Sequence, residues 1–384
     1  MDNFHLTDSR VADHYFMAQA IQLAAKGLYT TQPNPRVGCV IVVNNQVVGE
    51  GYHQQAGGPH AEVLALKQAA EKARGATAYV TLEPCSHQGK TPPCADALIA
   101  AGVSRVVCAM QDPNPLVSGQ GLEKLRLAGI KTECGVLQAE AEDINPGFIK
   151  RMKHGLPYVR VKLAMSLDGR TAMASGESQW ITGESARTDV QKLRARSSVV
   201  LTGSGTVLAD NPSMNMRMTA TDLGIDPASD TQPYQPLRAI IDSQLKVSPD
   251  SQIFQLAGET SVFTAAQVNT DMANSAESFK TGQIITLPLK AGHVDLFAVM
   301  KYLAEHQANE VHVEAGSVLC GALLQQQLVD EVVVYMAPHI MGDSAKGLFH
   351  LPELQTMAQR INLQIKDIRA IGVDWRITAL PQYV

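Results

Sequence analysis

The sequence predicts an α/β protein of two domains, and three observations carry that reading. Its 384 residues exceed the ~100–200 residues usual for one domain. Short β-branched runs alternate with segments of helical periodicity along nearly the whole chain, the pattern of layered α/β domains. A breaker cluster, Lys153-His154-Gly155-Leu156-Pro157, interrupts that alternation before a second series of strands begins.

In the first series, Asp8 or Ser9 caps a helix running to about Lys26, with Ala12, Phe16, Ala20, Leu23 and Ala24 on one face and Gly27 ending it. Val37–Val43, the Asn44-Asn45 turn and Gln46–Tyr52 form a hairpin. A helix over His60–Lys72 and a strand over Ala76–Thr81 follow. Cys94–Ala101 and Gly121–Ala128 are expected as helices, Arg105–Ala109 and Ile130–Cys134 as strands, and Ala139–Met152 as one helix despite Pro146. The second series has strands at Tyr158–Met165, Ser198–Thr202, Arg238–Asp242, Thr260–Thr264, Glu310–Glu314 and Glu331–Ala337. Its helices are expected at Glu184–Arg196, Asp295–Gln307 and Gly316–Leu328, and Thr219–Pro236, rich in Asp, Thr and Pro, reads as a surface loop.

Composition narrows the function. Hydrophobic residues make up 45% and charged residues 18%, the usage of a folded soluble chain rather than a disordered one. A formal net charge of -5 argues against a nucleic-acid partner, which calls for a basic face, and favours a small-molecule substrate. No apolar run approaches the ~20 residues of a membrane helix, and the start of the chain has no signal-peptide pattern, so a cytoplasmic protein without a membrane partner is expected. Six cysteines in such a chain read as thiols or metal ligands before disulfides.

The chemistry-bearing segment is His60-Ala61-Glu62, then Leu82-Glu83-Pro84-Cys85, then Cys94. One imidazole and two thiolates leave the fourth position of tetrahedral zinc for water, whose pKa bound zinc lowers to roughly 7. An unligated carboxylate beside it, Glu62, then shuttles the proton to a departing amine. His60 and Cys94 fall at helix starts, Cys94 after Pro92-Pro93, where the helix end favours thiolate. H-x-E and P-C are weak singly; their order with a third ligand downstream makes a zinc deaminase the reading of choice.

The second cysteine lies nine positions after the first, unlike the P-C-x-x-C of deaminases acting on nucleosides and nucleic acids. The intervening Ser86-His87-Gln88-Gly89-Lys90-Thr91-Pro92-Pro93 resembles the riboflavin-biosynthesis deaminases. So do Pro33-Asn34-Pro35-Arg36-Val37-Gly38, Gly51-Tyr52-His53 and Gln111-Asp112-Pro113-Asn114-Pro115. The second half resembles the dihydrofolate-reductase-like reductase of the same bifunctional family at Val161–Arg170, Ser178–Thr182, Leu193-Arg194, Thr206–Pro212 and Val313–Gly316.

That resemblance implies a cytidine-deaminase-like three-layer domain over residues 1–153 and a dihydrofolate-reductase-like α/β domain over 154–384. It implies hydrolytic deamination of a phosphorylated diaminopyrimidinone ribosylamine by zinc-held hydroxide, then NADPH reduction of the ribosyl group to ribityl, in a cytoplasmic homo-oligomer. By similarity His60, Cys85 and Cys94 bind zinc, one ion per chain, and Glu62 carries the proton. Asn34, His53, His87, Lys90, Asp112 and Asn114 match positions around the pyrimidine or sugar phosphate. In the reductase, Ala164, Trp180, Thr206, Asp210, Ser243 and the run Gly316, Ser317, Val318, Leu319, Cys320, Gly321 and Ala322 match NADPH contacts. Ser178, Arg194, Met214, Arg217 and Glu314 match substrate contacts.

Read without the family, these are weaker signals. Asn34 and Asp112 are ordinary turn formers, His53 and His87 structural histidines, Lys90 a solvated charge and Trp180 core packing. Gly203-Ser204-Gly205-Thr206 is only G-x-G, short of a dinucleotide fingerprint. The strand Val311–Glu314 running into Ala315-Gly316 and a helix is better suited to approach a phosphate. Two rivals stand beside the enzyme: a deaminase acting on a nucleic-acid base, which predicts P-C-x-x-C and a basic groove, and a non-catalytic protein stabilised by zinc, in which Glu62 is incidental.

Overall fold

The structure, a computed structural model, describes residues 9–86, 92–115, 117–227, 231–265 and 282–383. The chain divides into two compact units, one of Met1–Gly155 with Ala220–Tyr234, the other of Leu156–Thr219 with Gln235–Val384.

The first unit is a five-stranded sheet between two helical layers. Its strands are β1 (Gly38–Val43), β2 (Gln46–Tyr52), β3 (Thr77–Val80), β4 (Arg105–Cys108) and β5 (Lys131–Cys134), in the order β2-β1-β3-β4-β5. The hairpin β1–β2 is antiparallel, as Asn44-Asn45 predicts, and both asparagines take the left-handed conformation that such a turn requires. β3, β4 and β5 run parallel. Side chains alternate along β1: Cys39 and Ile41 meet α2 (Ala61–Ala69) and α3 (Cys94–Ala101), whereas Val40 and Val42 meet α1 (Ser9–Ala25). Glycines bring β2 and α2 close, since a Cβ on Gly51 would lie 2.7 Å from the Ala61 carbonyl oxygen and one on Gly49 2.2 Å from that of Ala65. On the other face, buried Asp13 of α1 takes two hydrogen bonds from Arg105 of β4, at 2.7 and 2.8 Å.

One expectation needs correction here. The single helix over Ala139–Met152 is two, α5 (Gln138–Ile144) and α6 (Pro146–His154), after α4 (Gln120–Leu127). Pro146 has no N–H to continue α5 and opens α6 at its first turn. The surface loop expected at Thr219–Pro236 is observed as one, with no helix or strand among its described residues and most of them exposed, and Ala220–Tyr234 belongs to the first unit. The Tyr234 N–H donates to the Tyr29 carbonyl at 2.9 Å, and Ile225 is buried.

The second unit is a nine-stranded sheet. Its strands are β6 (Tyr158–Ser166), β7 (Val199–Gly203), β8 (Leu237–Ile241), β9 (Thr260–Thr264), β10 (Gly282–Thr286), β11 (Glu310–Glu314), β12 (Glu331–Ala337), β13 (Asn362–Ile371) and β14 (Asp374–Gln382). The order is β10-β9-β8-β7-β11-β6-β12-β14-β13. Seven strands are parallel, and the hairpin β13–β14 closes one edge antiparallel. Val159, Val161 and Leu163 of β6 point to the core under α10 (Leu296–Glu305) and α11 (Ser317–Gln325), which follow α7 (Glu184–Ala195), α8 (Ser204–Asp210) and α9 (Gln252–Gln255). The opposite face buries Arg160 against Glu310 and Glu331, and Val333 and Tyr335 against α7. Because the seven strands run parallel, their carboxyl ends share one edge, where open α/β sheets bind ligands. The α/β class expected of both halves is the observed one.

Candidate active sites

In the first unit, two helix starts and one strand end converge. His60 has an extended backbone just before α2, and Glu62 lies in that helix's first turn. Cys94 opens α3 directly after Pro93. Cys85 follows β3 by five residues, and its sulfur accepts the Cys94 backbone N–H at 3.2 Å. The His60 Nδ1 is 3.2 Å from the Cys94 sulfur and 3.7 Å from that of Cys85. Nδ1 and the two sulfurs therefore offer three donors mutually within 4.8 Å. Bonds of about 2.0–2.1 Å to nitrogen and 2.3 Å to sulfur around tetrahedral zinc require edges of this size, so the residues fit the metal. The two thiols share their protons unequally. The Cys94 thiol's hydrogen bond holds Cys85 down to about 4, and the same contact with burial drives Cys94 up. Glu62 is 3% exposed; burial raises its carboxyl above the ordinary range, and it lies against the Cys94 thiol.

Next to this triangle, His53 is fixed as a neutral ring. Its Nδ1 lies 3.0 Å from the Pro59 carbonyl and donates to it, so Nε2 accepts from the Asn34 amide at 3.0 Å. Burial lowers its pKa, and its ring meets that of His60 edge-on at 5.5 Å between centroids. The Asn34 loop is clamped from behind, where Asn145 exchanges two hydrogen bonds of 2.8 Å with the Arg36 backbone. Asp112 and Asn114 share one turn, the Asn114 N–H donating to Asp112 Oδ1 at 2.8 Å. His87 and Lys90, also expected at this site, lie outside the described residues.

In the second unit, a cavity of about 1730 Å³ opens at the carboxyl ends of β6, β7, β8 and β11. It exceeds the 300–1,000 Å³ usual for a drug-sized ligand and has room for a dinucleotide and a second molecule. Ala164, Thr206, Asp210 and Ser243 line it, with Gly316, Ser317, Val318, Leu319 and Ala322 at the start of α11. A Cβ on Gly205 or Gly316 would meet nothing within 4 Å, so the space beside both backbones is open. Cys320 and Gly321 are different: both are buried, Cys320 in the core and Gly321 so close to His350 that a Cβ would fall 2.2 Å from its carbonyl oxygen. Helical rotation turns these two away from the cavity that their neighbours line.

Ser178, Arg194, Met214, Arg217 and Glu314 line the same cavity. Arg194 grips Glu314 through Nε at 2.5 Å and a terminal nitrogen at 3.0 Å, and donates to the Asn215 carbonyl at 2.8 Å. Those contacts pull the Glu314 carboxyl well below its usual range against the opposing effect of burial. Trp180 is 71% exposed at the cavity wall, its ring 4.7 Å from the Arg187 guanidinium. Lys162 also faces the cavity, and burial lowers its pKa.

Two family models match this chain: the cytidine and deoxycytidylate deaminase zinc-binding region over residues 10–110, and the RibD C-terminal domain over residues 157–377. The riboflavin biosynthesis protein RibD of Escherichia coli strain K12 is 53% identical over 363 residues, 94% of this chain and 97% of that protein. The chain belongs to the RibD family of riboflavin biosynthesis proteins. Acinetobacter baumannii RibD matches its structure with a TM-score of 0.88 at 43% identity, over 98% of this chain and 100% of that one. A Thermotoga maritima structure, titled a diaminohydroxyphosphoribosylaminopyrimidine deaminase/5-amino-6-(5-phosphoribosylamino)uracil reductase, matches at 0.82 and 32% identity with the same coverage.

RibD membership brings the deaminase and reductase domains together in one chain. Sequence reasoning missed Arg187 and Lys162 among the residues that line the reductase cavity. Lys162 sits within the quoted Val161–Arg170 motif, and a lysine flanked by Val161 and Leu163 in a parallel strand was the available signal.

Proposed function

We propose that residues 1–153 deaminate a diaminopyrimidinone ribosylamine phosphate with zinc, and that residues 154–384 then reduce its ribosyl group to ribityl with NADPH. The single observation that carries the reading is the His60, Cys85 and Cys94 triangle with buried Glu62 against it. Zinc held there supplies a Lewis acid that makes water acidic enough to lose a proton near neutral pH. Glu62 takes that proton and delivers it to the leaving amine; burial keeps its carboxyl basic enough for both transfers. Neutral His53 and Asn34 form a fixed polar pair beside the metal ligands, suited to a ring edge, and Asp112 and Asn114 add a second polar edge. In this reading His87 and Lys90 complete the sugar-phosphate contacts.

NADPH supplies the hydride for the second step, and the chain supplies alignment. Ala164, Trp180, Thr206, Asp210 and Ser243 contact the cofactor together with Gly316, Ser317, Val318, Leu319 and Ala322, while Cys320 and Gly321 of the same run face away from the cavity and take no part. Ser178, Met214 and Arg217 contact the substrate. Arg194, held by Glu314, presents a fixed cation. The enzyme is read as a cytoplasmic homo-oligomer; among the described residues no helix is long and apolar enough to cross a membrane.

Zinc-loaded protein and the diaminopyrimidinone ribosylamine phosphate test this directly, with ammonia followed before NADPH addition and absorbance after it. Ammonia release followed by NADPH consumption is expected. Absence of both from folded protein overturns the reading.

A further inference from the structure

We propose that Glu83 is a positioning residue of the deaminase, a carboxylate that sets the Asp112–Asn114 loop at its working distance from the metal ligands. The inference rests on the deaminase reading above. Glu83 is 5% exposed, and its two oxygens accept four backbone N–H groups. Oε2 takes those of Asp112 at 3.1 Å and Gly119 at 2.9 Å; Oε1 takes those of Gly121 at 2.8 Å and Leu122 at 3.3 Å. One side chain thus ties down both ends of the loop that carries Asp112 and Asn114, and meets the positive end of α4.

The other end of the device is the metal site. The Glu83 backbone N–H donates to the Met110 carbonyl at 2.9 Å, at the start of that loop. Gly121 packs so closely that a Cβ there would fall 1.9 Å from the Pro84 carbonyl oxygen. Pro84 leads directly into Cys85, a zinc ligand in the proposed site. The ligand-bearing segment and the substrate-facing loop are therefore held to each other through Glu83 and its neighbour, and no contact between Glu83 and substrate is needed. An acceptor-only carboxylate matches four converging donors; an amide of the same shape turns one end into a donor facing donors.

The test is Glu83→Gln in the full-length, zinc-loaded chain. Its zinc content and NADPH-dependent reductase rate are expected to match the parent. Its deaminase KM is expected to rise about tenfold with kcat little changed, the signature of lost ground-state positioning. Hydrogen exchange at Gly119 and Gly121 amides should accelerate, independently of activity. Combined with Asp112→Ala, the KM penalties should fall short of their sum, because both substitutions disable one loop. An unchanged KM, additive penalties, or a loss of zinc in parallel with activity would overturn the proposal. If Glu83→Gln does not yield folded protein, Glu83→Asp withdraws the same charge by one methylene, and an unchanged KM there has the same force. Failure of the unsubstituted chain to release ammonia would instead refute the deaminase reading itself.

Discussion

Glu62 and Glu83 are both buried acids of the first unit, yet they differ in what surrounds them. Glu62 faces the thiol of Cys94, whereas Glu83 is saturated by amides. Replacing Glu62 by Gln should cut ammonia release by about 10²–10⁴-fold, the usual worth of a general acid–base group, while metal analysis shows zinc retained. A purely structural zinc would lose nothing. In the reductase, Arg194→Leu leaves the Glu314 charge without its bidentate partner, and urea unfolding should register a loss of about 3–5 kcal/mol. The zinc set was legible in the sequence because metal bonding demands particular residue types in a particular order, and H-x-E with P-C and a later Cys meets that demand. Glu83 was not legible: its partners are main-chain groups 29 to 39 residues away, and main chain carries no side-chain signature. Cys320 and Gly321 show the converse limit, since a family segment covers a whole helical turn but a cavity touches only one side of it.

The elements themselves were recovered where one face is apolar and the ends carry breakers. The helix Cys94–Ala101 and the strands Thr260–Thr264, Glu310–Glu314 and Glu331–Ala337 have the expected bounds. The hairpin β13–β14 escaped notice because a register shift between Ile365 and Asp367 breaks the two-residue alternation on which strand reading depends. Helix α2 is placed by contact rather than by propensity. Gly49 and Gly51 admit it against β2, and it carries Glu62. Gly51→Ala should therefore push α2 outward, at a cost of about 1–3 kcal/mol in thermal or urea unfolding. A weakened hold on zinc should accompany it, measured by competition with a chromophoric chelator.

At the scale of the whole molecule, each unit has its own sheet and its own set of cores. Removing zinc with a chelator should abolish ammonia release and leave NADPH oxidation intact when the deaminated intermediate is supplied, as read by absorbance. Loss of both activities would mean that the metal also maintains the reductase fold. The boundary at Lys153–Pro157 was visible because breakers cluster there. The return of residues 220–234 to the first unit was not, because Asp, Thr and Pro mark a loop without saying what it lies upon.

That return means the polypeptide visits the first unit, the second, the first again and the second again, so no single cut of the gene yields two complete halves. A deaminase ending at residue 155 would lose the hydrogen bond that Tyr234 gives to Tyr29, and the complementary reductase would trail a polar strap whose unit is missing. Supplying residues 220–234 as a separate peptide should raise the melting temperature of the truncated deaminase. Gene fission in such a protein would have to be accompanied by loss or replacement of the strap, which makes its fifteen positions a place where fused and split versions of these enzymes should differ in sequence.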